Sequence, residues 1–244
     1  MVVTITSLPE SGNPARAAME DAIASSRHAV VGPNTAGYLT TPARLRATSV
    51  RTAGMRPAEH GGTIALTTQS GSIGSYLVGR CFEEHLGLRY WIPTGNEARV
   101  RLHHVVEAFA ADEAVEVIGL FIEGIRDGDR LLAALDSARA HGKFVAAYCI
   151  GQTDAGKSAA SSHTAAVSGT HAVLMHMLTQ HGVLVTDTVS ELFDVLKVAA
   201  TAYAGLWSES RPPTSVTAIS TSGGSCSITA EEFARRGRTL PPLP

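Results

Sequence analysis

Val115-Glu116-Val117-Ile118-Gly119-Leu120-Phe121-Ile122 carries one charge near its start and is otherwise apolar or glycine. A strand wet on one face would alternate polar and apolar residues. This one has no face to give to water, so it reads as a strand buried on both sides, as in a parallel sheet. Phe144 to Ile150 repeats the pattern. Between them, Leu131, Leu132, Leu135 and Ala138 recur at helical spacing. Strand, helix, strand is the unit from which doubly wound sheets are made.

The alternation continues on either side. Upstream, Thr63 to Thr67 is an apolar, β-branched strand, Gln69-Ser70-Gly71 a turn, and Ile73, Leu77 and Phe82 the apolar stripe of a helix. Tyr90 to Ile92 reads as a strand, Gly95-Asn96 as a turn and Leu102 to Phe109 as a helix. Downstream, Val173, Leu174, Met177 and Leu178 line a helix. Val183 to Val185 is a strand and Val189 to Tyr203 a helix. Five strands alternating with helices predict an α/β domain with a doubly wound parallel sheet, flavodoxin-like, over 61–210. Ligands of such domains sit beyond the carboxyl ends of the strands. The small polar loops Gln69-Ser70-Gly71, Gly95-Asn96-Glu97 and Glu123-Gly124 all fall on that edge, with the loop around His163.

The flanks are fragmentary. Val2 to Ile5 and His28 to Val31 read as short strands around an Ala-rich helix, Pro14 to Ser26. Residues 44–60, with Pro57, several Arg and no clear period, read as a linker. After Pro212-Pro213, Val216 to Ser220 reads as a strand, Ser222-Gly223-Gly224-Ser225 as a turn, and Thr229 to Arg235 as the start of a helix. One strand and one helix cannot bury a core alone, so 211–244 reads as the opening of a further, incomplete domain.

Bulk properties exclude several classes. Of 244 residues, 44% are hydrophobic and 17% charged, a composition that can bury a core. The net charge of −2 leaves no basic footprint for nucleic acid. No apolar run approaches the roughly 20 residues of a membrane span. The first residues lack the basic and apolar regions of a signal peptide. Three scattered cysteines, Cys81, Cys149 and Cys226, suit a reducing cytosol, so a cytoplasmic location is expected. His103 and His104 are expected to point apart. His171, His176 and His181 are five residues apart, which turns each away from the last on a helix. No cysteine–histidine cluster has zinc spacing, so no metal site is expected.

Two stretches carry chemistry. Ser161-Ser162-His163-Thr164-Ala165-Ala166-Val167-Ser168-Gly169 presents one imidazole among small residues that let an anion approach. Gly151-Gln152-Thr153-Asp154-Ala155-Gly156-Lys157-Ser158 matches the phosphate-loop pattern G-x-x-x-x-G-K-[ST] and follows a strand, with Val183 to Asp187 resembling its magnesium-holding partner strand. Against a phosphate-loop nucleotidase, this loop follows only the fourth strand. The residues after Ser158 also make a poor helix. Gln69-Ser70-Gly71-Ser72 and Ser222-Gly223-Gly224-Ser225 both lead into helices, whose free N–H groups and dipole favour an anion.

Gly32-Pro33-Asn34, Gln69-Ser70-Gly71, Gly95-Asn96-Glu97-Ala98, Glu123-Gly124-Ile125-Arg126-Asp127-Gly128 and Ser162-His163-Thr164 occur in this order. Together they resemble the NDP-forming acyl-CoA synthetases, the superfamily of succinyl-CoA ligase α subunits. The resemblance implies that 1–43 is the last portion of a CoA-binding Rossmann domain and 211–244 the start of a second flavodoxin-like domain. It implies the reaction acyl-CoA + phosphate + NDP = acid + CoA + NTP. In that reaction His163 carries the phosphoryl group and Glu123 orients its imidazole. Gln69, Ser70, Gly71 and Ser72, with Gly223, Gly224 and Ser225, would hold phosphate. Pro33, Asn34 and Thr164 would border the CoA thioester. Coenzyme A enters as substrate. ATP or ADP, with Mg, would act only through an ATP-grasp partner, and an oligomer is expected. Ala165, Cys149, Arg99 and Arg101 depart from the family pattern. A non-catalytic CoA-ester or phosphate-binding module of the same fold is the alternative.

Overall fold

Asn13 starts the first helix with its own side chain. Its Oδ1 accepts from Ala15 N at 2.9 Å, and Pro14 fills the first helical position, where a missing N–H removes no bond. The structure, a computed structural model, describes residues 2–9, 13–50, 62–151, 171–206 and 217–241. Helix α1 (Pro14–Ser25) links strands β1 (Val2–Val3) and β2 (Val30–Val31), which pair in parallel, Val2 with Val30 and Val3 with Val31. The chain divides into two compact units, Met1–Ala204 and Gly205–Pro244.

A hairpin follows. Strand β3 (Gly37–Thr40) runs antiparallel to β4 (Leu45–Thr48) and joins the main sheet, Leu39 opposite Trp91. This corrects the linker reading of 44–60 over Leu45–Thr48. Three of the four β4 residues are exposed, so the strand shows no apolar stripe and could not be read by periodicity. Residues 51–60 lie outside the described ones.

The central elements are β5 (Ile64–Thr68), α2 (Gly71–Glu83), β6 (Leu88–Pro93), α3 (Leu102–Ala111), β7 (Val117–Ile122), α4 (Gly128–Ala140), β8 (Phe144–Cys149), α5 (His171–Gln180), β9 (Val183–Thr186) and α6 (Val189–Leu206). The sheet order is β4-β3-β6-β5-β7-β8-β9, and the five strands from β6 to β9 are parallel. Counted from β5, their order is 2-1-3-4-5, the flavodoxin order. Burial follows: every residue of β5 and β7 is buried.

Helices cover both faces. Leu77 and Val78 of α2, with Leu192, Phe193 and Leu196 of α6, pack on Leu66, Trp91 and Val117. Val106 and Phe109 of α3, with Leu131 and Leu135 of α4, pack on Ile118, Leu120 and Val145. Gly119 makes room for this layering, since a Cβ there would meet Leu66 Cδ2 at 2.5 Å and Leu196 Cδ1 at 2.8 Å.

His103 and His104 do not point apart. Their ring centroids are 4.0 Å apart, because His104 Nδ1 accepts from Arg101 N at 3.2 Å and so turns back over the first turn. In the second unit, helix α7 (Gly223–Arg235) begins six residues before Thr229, because Ser222 caps it: its Oγ accepts from Ser225 N at 3.4 Å. Residues 217–220 are irregular, which corrects the strand reading of Val216 to Ser220 over those four residues, Val216 lying outside the described ones; no strand pairs with them among the described residues. No described helix is long and apolar enough to cross a membrane.

Candidate functional site

The parallel strands β5 and β7 are neighbours whose chain connections run to opposite sides of the sheet. A crevice opens beyond their carboxyl ends at such a switch point. Gln69 follows β5 and Glu123 follows β7. The two loops are tied together. Gln69 Oε1 accepts from Glu123 N at 2.5 Å and from Gly124 N at 2.9 Å, and Gln69 Nε2 donates to Gly124 O at 2.7 Å. The Gln69 backbone N–H donates to Phe121 O at 3.1 Å.

Helix α2 starts at this crevice. Ser70 caps it, Oγ accepting from Ile73 N at 3.4 Å. Gly71 and Ser72, in the first turn, have N–H groups with no intrahelical acceptor. Gly71 lies against the β2–β3 connection, where a Cβ would meet Ala36 Cβ at 2.9 Å.

The next loop is clamped to the N-terminal segment. Asn96 N donates to Pro33 O at 2.9 Å, Ala98 N to Gly32 O at 3.1 Å and Val100 N to Val30 O at 3.0 Å. Gly95 has φ +61°, and a Cβ there would come within 2.5 Å of Asn34 O, so glycine is required. Asn34 Nδ2 donates to Asn96 Oδ1 at 3.3 Å. Pro33 is buried and follows a cis peptide bond.

Glu97 is 3% exposed. Its Oε1 accepts from Thr94 Oγ1 at 2.9 Å and from Leu102 N, at the start of α3, at 3.0 Å. Burial pushes its carboxyl above the usual range, while hydrogen bonds from Gln69, Thr94 and Leu102 pull it back. The sequence reading used Glu97 only as part of a motif. An acid just before a helix was the available signal.

These pieces enclose one cavity of about 1100 Å³, within the first unit. Asn34, Ser70, Gly71, Asn96 and Glu123 all line it, as does Glu97, so four of the five motif loops meet there. His163 and Thr164 lie outside the described residues, as does the phosphate-loop match beyond Gly151. Gly223, Gly224 and Ser225 form the start of α7 in the second unit, where a Cβ on Gly223 would meet nothing within 4 Å.

The departures that are described have structural roles. Arg99 Nη1 donates to Ala24 O at 2.8 Å and Ile23 O at 3.4 Å, meeting the carbonyl end of α1. Arg101 Nη1 donates to Asp127 Oδ2 at 3.3 Å. Cys149 is buried, which pushes its thiol up to about 12 and leaves it unreactive at neutral pH. Among the described residues, no group of three or more His, Cys, Asp or Glu could hold a metal ion.

Residues 61–199 match the family model of the succinyl-CoA ligase like flavodoxin domain. The chain belongs to this family.

Members of the succinyl-CoA ligase like family have curated functions that can be set beside it. The chain is 30% identical over 212 residues to the acetate–CoA ligase [ADP-forming] II subunit alpha of Pyrococcus furiosus, covering 86% of this chain and 43% of that protein. It is 30% identical over 170 residues to trans-feruloyl-CoA synthase from an unknown prokaryote, covering 70% and 24%. It thus spans less than half the length of these relatives. A structure of the Ca. Korarchaeum cryptofilum dinucleotide forming acetyl-coenzyme A synthetase 1 in complex with phosphate and ADP matches with a TM-score of 0.82 and 28% identity. The match covers 99% of this chain and 50% of that one.

Proposed function

We propose that this chain is the phosphohistidine-carrying part of an NDP-forming acyl-CoA synthetase, an acid–thiol ligase. The observation that carries the proposal is the meeting of the Asn34, Gly71, Asn96 and Glu123 loops around one cavity at the switch point of a flavodoxin sheet. The family and the names of the relatives support the same chemistry.

The chemistry runs as follows. A phosphate oxygen attacks the thioester carbonyl. The carbon–sulfur bond breaks, and CoA leaves as the thiol once protonated. An imidazole nitrogen of His163 then attacks phosphorus in the acyl phosphate, and the carboxylate leaves. The terminal phosphate oxygen of the NDP finally attacks the phosphohistidine, which restores the imidazole and yields NTP. Glu123 accepts from the second imidazole nitrogen, fixing the tautomer and stabilising the cationic ring. The N–H groups of Gly71 and Ser72 and the helix dipole hold the phosphate. Pro33 and Asn34, with Thr164, border the thioester. Gly223, Gly224 and Ser225 supply a second helix start. Coenzyme A is a substrate, and the nucleotide and Mg belong to an ATP-grasp partner.

The test is turnover of acyl-CoA, phosphate and ADP by the purified chain, with and without an ATP-grasp subunit. ATP should form only with both present. Turnover by the chain alone, or by a His163→Ala chain with the partner, would overturn the proposal.

A further inference from the structure

Gln69 is the residue whose expected role the geometry changes. In the sequence it reads as a phosphate ligand at the start of α2. A glutamine offers an anion only its amide donors and its backbone N–H. Here the amide is turned to the protein: Nε2 donates to Gly124 O at 2.7 Å, and the amide favours the charged form of the buried Glu97 carboxylate. The backbone N–H donates to Phe121 O at 3.1 Å. The side-chain oxygen, an acceptor only, accepts from Glu123 N at 2.5 Å and Gly124 N at 2.9 Å.

These bonds form a strut across the switch point. One end is the Gln69 backbone, whose N–H is held by Phe121 O at 3.1 Å. The other end grips both backbone groups of Gly124 and the N–H of Glu123. A residue gripped on its own N–H and on its neighbour's N–H and C=O has little freedom to turn, so the direction of its side chain is set from the backbone. We infer that Gln69 is a positioning residue that aims the Glu123 carboxylate, and that phosphate is held by the neighbouring first-turn N–H groups of Gly71 and Ser72. This rests on the reading of Glu123 as the partner of His163.

The experiment compares Gln69→Leu, Gln69→Asn and Glu123→Gln with the wild-type chain, assayed with an ATP-grasp partner. Leucine roughly keeps the volume and removes every side-chain bond; asparagine keeps the amide one methylene short. The rate of His163 phosphorylation at saturating phosphate should fall ~10–100-fold in Gln69→Leu, as expected when an aiming contact is lost. The fall should be smaller in Gln69→Asn. The phosphate concentration for half-maximal rate should stay within about twofold of wild type, since uniform binding is untouched. Amide hydrogen exchange at Glu123 and Gly124 should speed up in both variants. A raised half-saturating phosphate concentration with the maximal rate recovered would make Gln69 a phosphate ligand and overturn the inference. So would unchanged exchange at Glu123 and Gly124. If Glu123→Gln is slow and Gln69→Leu is not, the strut alone fails. If Glu123→Gln phosphorylates at the wild-type rate, the reading of Glu123 fails and the aiming role fails with it.

Discussion

Two carboxylates in this fold are given different roles, Glu123 a proposed catalytic one and Asp112 a structural one. Glu123→Gln is nearly isosteric but loses the charge that stabilises a cationic imidazole. Phosphoryl transfer should fall at least ~100-fold, the scale of a general acid–base contribution, with the melting temperature unchanged. Rapid-quench phosphorylation rates check this. Asp112 is structural. Burial pushes its carboxyl up, but bonds from Arg89 at 2.8 and 3.3 Å, Tyr90 at 2.7 Å and Ala114 N at 2.9 Å outweigh it and bring the carboxyl down to about 2. The folded value lies below the unfolded one, so this stabilisation is present above about pH 4 and lost as pH falls toward 2. Solvent screening of this partly exposed pair reduces its worth to about 1 kcal/mol. Asp112→Asn should lose that much in urea unfolding at pH 7, and the gap should close by about pH 2. Lys157→Ala should leave ATP affinity unchanged in calorimetry; tight ATP binding to this chain, abolished by that change, would revive the phosphate-loop reading. The loops after β5 and β7 were legible because short polar stretches followed apolar strands. The use of Gln69 was not, because its partners lie 54 and 55 residues away, in the loop after another strand.

The parallel strands could be read because burial on both faces leaves an uninterrupted apolar run. The β3–β4 hairpin could not, because an edge strand exposing Leu45, Arg46 and Ala47 has the composition of a linker. Helix α7 was recognised but started late, since Gly223-Gly224 reads as a turn while Ser222 makes it a first helical turn. Helix α3 shows how a site residue also builds an element. Its N-cap position is Arg101, whose guanidinium has no acceptor, and Glu97 serves from five residues upstream. Glu97→Ala should therefore cost about 1–2 kcal/mol, the usual penalty for losing a helix cap. Glu97→Gln, which keeps an acceptor at Oε1, should cost less. Urea midpoints of the two variants check this, and equal midpoints would remove the capping role.

The first unit holds the sheet, the N-terminal clamp and the cavity. The clamp is built from backbone bonds between 30–33 and 96–100, strengthened by Arg99 on the carbonyl end of α1. In the second unit Ile219 is 86% exposed and Ile228 is 65% exposed. Apolar surface of that kind suits a unit that meets further structure. The proposed reaction asks for the same thing, because the phosphoryl group must reach a nucleotide bound elsewhere. The most direct measurement is incorporation of radiolabelled phosphate into the chain in the presence of acyl-CoA, or of γ-labelled ATP with an ATP-grasp partner, followed by peptide mapping. The account predicts an acid-labile, base-stable label on His163 that appears only with those reactants, is discharged by ADP with the partner, and is absent from His163→Ala. A chain that takes up no label, or one that labels equally well without His163, would contradict it.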